Sequence, residues 1–240
     1  MATYVLVHGA QVGGWCWHKV VPLLEAEGHR VVALDLPGHG DDPTAVSGMT
    51  LDANVARIRE AVDAADHPVI LVGHSMGGIA ITQTAEEVPD EIDMLVYLSA
   101  LVPQDGQSSA DLAGRFLDPG VAANMQINAS EGTAWVPDDV WREAAYGECD
   151  HEDFEFAINR HVPESLAAMG APVRITEERA GRVPRAYVEC LRDHTIPIDS
   201  QRAMQQAVGR ERILTIDTDH SPYLSRPREL ADHLLSLDPH

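Results

Sequence analysis

The sequence predicts an α/β protein, a mostly parallel, doubly wound sheet with an inserted helical cap. Three observations carry that expectation. Short apolar runs alternate strictly with helix-spaced segments through the first hundred residues, the pattern of strands covered by helices on both faces. The alternation stops at about residue 103 and resumes after about residue 182. The 240 residues are 45% hydrophobic and 23% charged, a globular balance that excludes a disordered or fibrous chain. A chain this long buries roughly 70–75% of its unfolded surface, so one core suffices without disulfides or metal.

Thr3–Val7 is an apolar, β-branched run closed by His8-Gly9, which fits a buried strand. Residues 20–26 have helical spacing, with Gly28 as a stop. Residues 30–35 (RVVALD) give a second strand, ended by Pro37-Gly38-His39-Gly40. Leu51, Val55, Ile58 and Val62 mark an amphipathic helix. Residues 69–73 (VILVG), 76–87 and 94–99 (MLVYLS) then read as strand, helix and strand. Residues 103–182 collect Trp135, Trp141, Tyr146, Phe154 and Phe156 among prolines and acids, so they are assigned to the cap. A strand at 186–191, a helix near 200–208, a strand at Arg212–Ile216 and a helix from Pro227 complete the core. The division is therefore 1–102 with 183–240 as core, and 103–182 as cap.

Seventeen basic against thirty-eight acidic residues leave a net charge of −21. That field repels phosphate backbones and anionic lipid, so neither nucleic acid nor membrane is an expected partner. The acidity fits a solvated, soluble surface or adaptation to high salt, and charge alone does not separate the two. Cys16, Cys149 and Cys190 are too scattered for a disulfide frame or a zinc site. Residues 1–10 lack a secretory leader's basic and apolar regions, and no stretch approaches the roughly 20 apolar residues of a membrane helix. A cytoplasmic protein is expected.

The strongest chemical signal is Gly73-His74-Ser75-Met76-Gly77-Gly78, between a strand and a helix. In that setting G-x-S-x-G is a nucleophile elbow: glycines permit a tight turn that lifts Ser75 above the carboxyl edge of the sheet. A serine hydroxyl needs a base. Among twelve histidines His220 fits best, because it follows the last strand and the carboxyl ends of parallel strands share one crevice. His8 and His74 flank the crevice in glycine-bound turns, whereas His151, His161 and His194 have no partner pattern, and His233 and His240 fall near the chain end. The histidine needs a carboxylate, and Asp193 follows the preceding strand. Asp105 is the rival; Glu189 lies inside its strand, and Asp217 and Asp219 sit too near His220 in sequence to fold back onto its ring. The N–H groups of Met76 and Ala10 are the expected oxyanion donors, with Gly9, His74 and Trp135 the expected substrate contacts. No G-x-G-x-x-G or P-loop pattern appears, so no cofactor and no metal is expected.

Closer inspection adds a family likeness. His8-Gly9-Ala10, Gly14-Trp15-Cys16-Trp17-His18-Lys19, residues 23–29, Ala33-Leu34-Asp35-Leu36, the elbow, Asp193 and Asp219-His220 resemble the plant methylesterase and hydroxynitrile lyase group of α/β-hydrolases and its bacterial esterase relatives. The resemblance covers about the first hundred and the last fifty-five residues. It implies the α/β-hydrolase fold, a cap over a buried pocket, and a small-molecule ester as substrate, often of an aromatic acid, with pyrethroids among those cleaved by bacterial relatives. The lyase branch carries a lysine after its histidine and a threonine in the slot of Gly9; here Ser221 and Gly9 stand instead. The expected activity is thus a serine carboxylic ester hydrolase working through an acyl-enzyme. A carbon–carbon lyase and a non-catalytic small-molecule receptor are the alternatives, and a homodimer stays open.

Overall fold

The computed structural model describes residues 1–65, 69–209 and 212–238. The chain opens with β1 (Thr3–Val7), α1 (Val21–Ala26), β2 (Arg30–Ala33), α2 (Leu51–Asp63), β3 (Val69–His74), α3 (Gly77–Glu87) and β4 (Ile92–Leu98). Between β4 and the next strand of the main sheet lie α4 (Ser109–Phe116), α5 (Pro119–Asn124), β5 (Gln126–Asn128), β6 (Thr133–Trp135), α6 (Asp138–Ala144), α7 (His151–Ile158), β7 (Glu164–Ser165) and α8 (Leu166–Gly170). The core returns with β8 (Arg185–Cys190), α9 (Ile198–Val208), β9 (Arg212–Ile216), α10 (Pro222–Ser225) and α11 (Pro227–Ser236). Each expected core element is present, with ends that differ from the sequence reading by one or two residues.

The main sheet runs β2-β1-β3-β4-β8-β9, and every pairing in it is parallel. Strand alternation explains why the apolar runs are unbroken. Tyr4, Leu6, Ile70, Val72, Val96 and Val188 face one core with Trp17, Leu24 of α1, and Leu230 and Leu234 of α11. Val5, Val7, Leu71, Leu95 and Tyr187 face the other with Val55, Ile58 and Val62 of α2, Ile79 and Ile81 of α3, and Met204 of α9. Both faces of the central β1, β3 and β4 are dry, so successive residues there are nearly all apolar, whereas the edge strands β2 and β9 are partly exposed. The helix starts are equally local: Thr50 caps α2 by accepting the Ala53 N–H at 3.1 Å.

The segment between β4 and β8 is not purely helical. β5, β6 and β7 form a three-stranded antiparallel sheet. Strands of two or three residues are too short to show a period, which hid them in the sequence. The segment after α8 turns back onto the main body: Val173, Ala180 and Val183 are buried in the α2–α3 core, and Glu86 of α3 accepts the Thr176 and Ala180 N–H groups. The three cysteines are free and buried, and burial pushes the thiols of Cys16 and Cys190 well up. Among the described residues no helix is long and apolar enough to cross a membrane.

Candidate active site

Five strand ends build the site, and three of them carry strain. Among the described residues, the non-glycine residues with left-handed backbone are Gln11 after β1 (φ 63°), Ser75 after β3 (φ 52°) and Ser99 after β4 (φ 38°). That conformation costs an L-residue about 1–2 kcal/mol, and its clustering at one sheet edge marks a site. At Ser75 the cost is offset locally. Its N–H donates to Leu98 O at 3.2 Å, and its carbonyl accepts the N–H groups of Gly78 and Leu101 at 3.1 and 3.0 Å. The turn also demands small neighbours. A Cβ on Gly77 would stand 2.6 Å from His8 O, and one on Gly9 would stand 2.8 Å from the Ser75 Cβ and 2.9 Å from His74 Nδ1.

The turn after β9 brings His220 against Ser75, with 2.9 Å between Nε2 and Oγ. On the other side of the ring, Nδ1 lies 2.6 Å from Asp193 Oδ2. Asp193 is buried and well supplied with donors. Its Oδ1 accepts the N–H groups of Thr195 (2.6 Å) and Ile196 (2.8 Å), and the Ser99 hydroxyl makes a short bond to Oδ2. A carboxylate so fixed orients the ring with its proton on Nδ1, leaving the Nε2 lone pair for the Ser75 hydroxyl.

His74 lies beneath this pair: its Nε2–H donates to the His220 carbonyl at 2.9 Å, and burial, with His220 alongside, pushes its pKa well down. His8 is likewise neutral. Its Nδ1–H donates to Gly9 O and its Nε2 accepts the Leu36 N–H, and burial beside His39 pushes its pKa down to about 3.

The competing acids lie elsewhere. Asp105 accepts the Ile175 N–H, Glu189 pairs with Arg202, and Asp217 pairs with Arg192. Asp219 accepts the N–H groups of Glu148 and Ser221 and the Ser225 hydroxyl, tying the cap to the His220 turn. Ser221 is fully buried and donates to the Tyr223 hydroxyl. His151 and His194 are exposed, and His240 is outside the described residues. Burial and a partner pattern do distinguish His161, against expectation: it bonds the Tyr146 hydroxyl at 3.0 Å and Asp138 at 3.3 Å. The partners stand 15 and 23 residues away in sequence, so no local spacing announced them.

Two cavities flank Ser75. One, of about 520 Å³ and partly open to solvent, is lined by Ala10, Met76, Trp135, Trp141 and Met169 with a largely apolar wall. The other, of about 300 Å³, lies on the His220 side against His74, Tyr146, His161 and Ser221. Trp135 thus lines the first and His74 the second. Gly9 lies beneath the serine. No bond to a described residue occupies the N–H of Ala10 or Met76. Sequence reasoning missed Gln11, His161 and Glu164, and it left Trp141 and Tyr146 open between pocket and core. The described residues contain no cluster of three or more metal-ligating side chains.

This architecture of sheet, elbow and serine–histidine–aspartate contacts is that of the α/β-hydrolases. The chain belongs to the alpha/beta hydrolase family, whose model matches residues 4–233. It is similar to Methylesterase 2 of Arabidopsis thaliana, 32% identical over 98% of this chain and 95% of that protein. It is equally similar to an alpha-hydroxynitrile lyase of Arabidopsis thaliana, 32% identical over 98% of this chain and 96% of the lyase. The crystal structure of polyneuridine aldehyde esterase, a protein of Rauvolfia serpentina, superposes with a TM-score of 0.88 at 28% identity, covering 98% of each chain.

Proposed function

We propose that this protein is a serine carboxylic ester hydrolase with Ser75 as nucleophile, His220 as base and Asp193 as the orienting acid. The observation that carries the reading is the unbroken sequence Ser75 Oγ to His220 Nε2 at 2.9 Å and His220 Nδ1 to Asp193 Oδ2 at 2.6 Å. Ser75 attacks the ester carbonyl while His220 takes its proton, and the N–H groups of Ala10 and Met76 receive the oxyanion. His220 then returns the proton to the departing alcohol. Water, deprotonated by the same ring, cleaves the acyl-enzyme to acid and free Ser75.

Because the proton is returned from His220, the smaller cavity on its side is assigned to the alcohol and the larger, apolar one to the acyl group. That division favours esters of small alcohols with apolar or aromatic acids of small to medium size. Residues 103–182 serve as the cap that encloses both. The esterase relatives support this reading. The lyase is as similar to this chain as the methylesterase is, so a cyanohydrin belongs in the test beside the esters.

A panel of p-nitrophenyl and methyl esters, with mandelonitrile in parallel, tests the reading on wild type and Ser75→Ala. Ester turnover that disappears in the variant, with no cyanide released, is expected. Cyanide release above background would favour the lyase, and ligand binding without turnover the receptor.

A further inference from the structure

Gln11, the residue after the oxyanion donor Ala10, is held by the cap. Its carbonyl accepts the Val162 N–H at 3.0 Å, its side-chain oxygen accepts the Val136 N–H at 2.8 Å, and its amide donates to Val136 O at 3.4 Å. Its own N–H donates to Glu164 Oε2 at 3.3 Å. Glu164 stands on β7, is 2% exposed, and lines the same cavity as Ala10 and Ser75. Its Oε1 accepts the Ser165 N–H, and Oε2 also accepts from Nε2 of the buried His39, 3.2 Å away in the loop after β2.

A buried carboxylate facing a cavity where negative charge must develop is costly twice over. It loses hydration, and it repels the oxyanion. Packing alone would be served as well by an apolar side chain. What an apolar side chain lacks is an acceptor for the Gln11 N–H. The adjoining His39 supplies the compensating charge, since both its ring nitrogens face acceptors, Pro37 O and Glu164. We infer that Glu164 is a positioning residue for the oxyanion loop. Its bond to the strained Gln11 backbone fixes the Ala10 N–H in the direction the transition state needs, with His39 as its counter-ion. The cap thereby completes the oxyanion site, and does not merely cover it. This inference rests on the reading of Ala10 as a donor.

The test compares wild type, Glu164→Gln, Glu164→Leu and Gln11→Gly by kcat, KM and affinity for an aryl trifluoromethyl ketone, whose serine adduct places an oxyanion in the site. Glu164→Gln keeps an acceptor for Gln11 and is expected within about threefold of wild type in ketone affinity. Glu164→Leu is expected to lose about 10–100-fold in kcat and in ketone affinity together, with KM moved less than about threefold, because a misdirected donor loses part of the roughly 100–1,000-fold that a deleted one costs. Gln11→Gly keeps the N–H that Glu164 accepts and loses only the side-chain bonds to Val136, so it is expected to stay closer to wild type than Glu164→Leu in both quantities. Wild-type kcat and ketone affinity in a folded Glu164→Leu, a loss there confined to KM, or a loss of about tenfold in ketone affinity in Glu164→Gln would overturn the inference. Ester turnover abolished by Ser75→Ala would stand in either case, which separates this inference from the esterase reading.

Discussion

At the scale of single residues, the site depends on which atoms face each other and on how little room surrounds them. Asp193 fixes the proton of His220 on Nδ1. Asp193→Asn would present an amide donor to that nitrogen and reverse the tautomer, so kcat should fall about 10⁴-fold while the melting temperature moves little. Steady-state kinetics beside a thermal melt checks both. Gly9 is a second sharp case. Because an added Cβ would press on the Ser75 Cβ at 2.8 Å, Gly9→Ala should displace the nucleophile and lower kcat by about tenfold or more. Undiminished turnover in Gly9→Ala would show that the turn relaxes freely.

Much at this scale was legible in the sequence. Ser75, His220 and Asp193 could be found because a parallel sheet delivers the ends of its strands to one edge, so position in the chain stands for position in space. A different argument separated Asp193 from Asp219: Asp219 adjoins His220 in sequence with no room to reach its ring, and it bonds Glu148 and Ser225 instead. Gln11, Glu164 and His161 were not legible. Their contacts cross the cap, whose elements are two to eight residues long, and depend on a tertiary closure that no period encodes.

At the scale of elements, the joint between β7 and the loop after β2 is a buried ion pair with a definite pH signature. Burial opposes charge on His39, yet the Glu164 carboxylate, the Pro37 carbonyl and the nearby Asp35 together raise its pKa above the ordinary histidine range. His8, whose ring centre is 4.9 Å away, faces it as a neutral neighbour. A raised folded-state pKa contributes stability that is fully present below the unfolded value and is lost as pH rises through the folded one. The melting-temperature gap between wild type and His39→Gln should therefore be widest near pH 6 and shrink as pH climbs above the raised pKa. A gap that widens with pH would contradict a charged His39. His8 and His74 act in the opposite sense. Their lowered pKa values mean that stability falls as pH drops below the ordinary histidine value, toward about 3 for His8.

The sheet itself was the most legible element, because short apolar runs bounded by turn residues and alternating with helix-spaced segments read as buried strands. The small antiparallel sheet of β5, β6 and β7 escaped notice for the opposite reason, since three residues cannot display an alternation.

At the scale of the whole molecule, a net charge of −21 bears on stability as well as on partners. Self-repulsion of that size is screened within about 10 Å at 0.1 M salt. The melting temperature should rise as sodium chloride is raised from about 10 mM to about 0.5 M, where the screening length becomes much shorter. A melting temperature independent of salt would show that the acids are already balanced by local pairing. The same field disfavours anionic molecules near the largely apolar cavity beside Ser75.

The central claim is a covalent one, that Ser75 carries the acyl group between the two halves of the reaction. The direct measurement is a rapid acid quench of enzyme mixed with excess p-nitrophenyl ester, followed by intact and peptide mass spectrometry. The account predicts one acyl group per chain, located on the peptide that holds Ser75, and absent from Ser75→Ala. Undiminished ester turnover in Ser75→Ala, or an adduct on another residue, would contradict it.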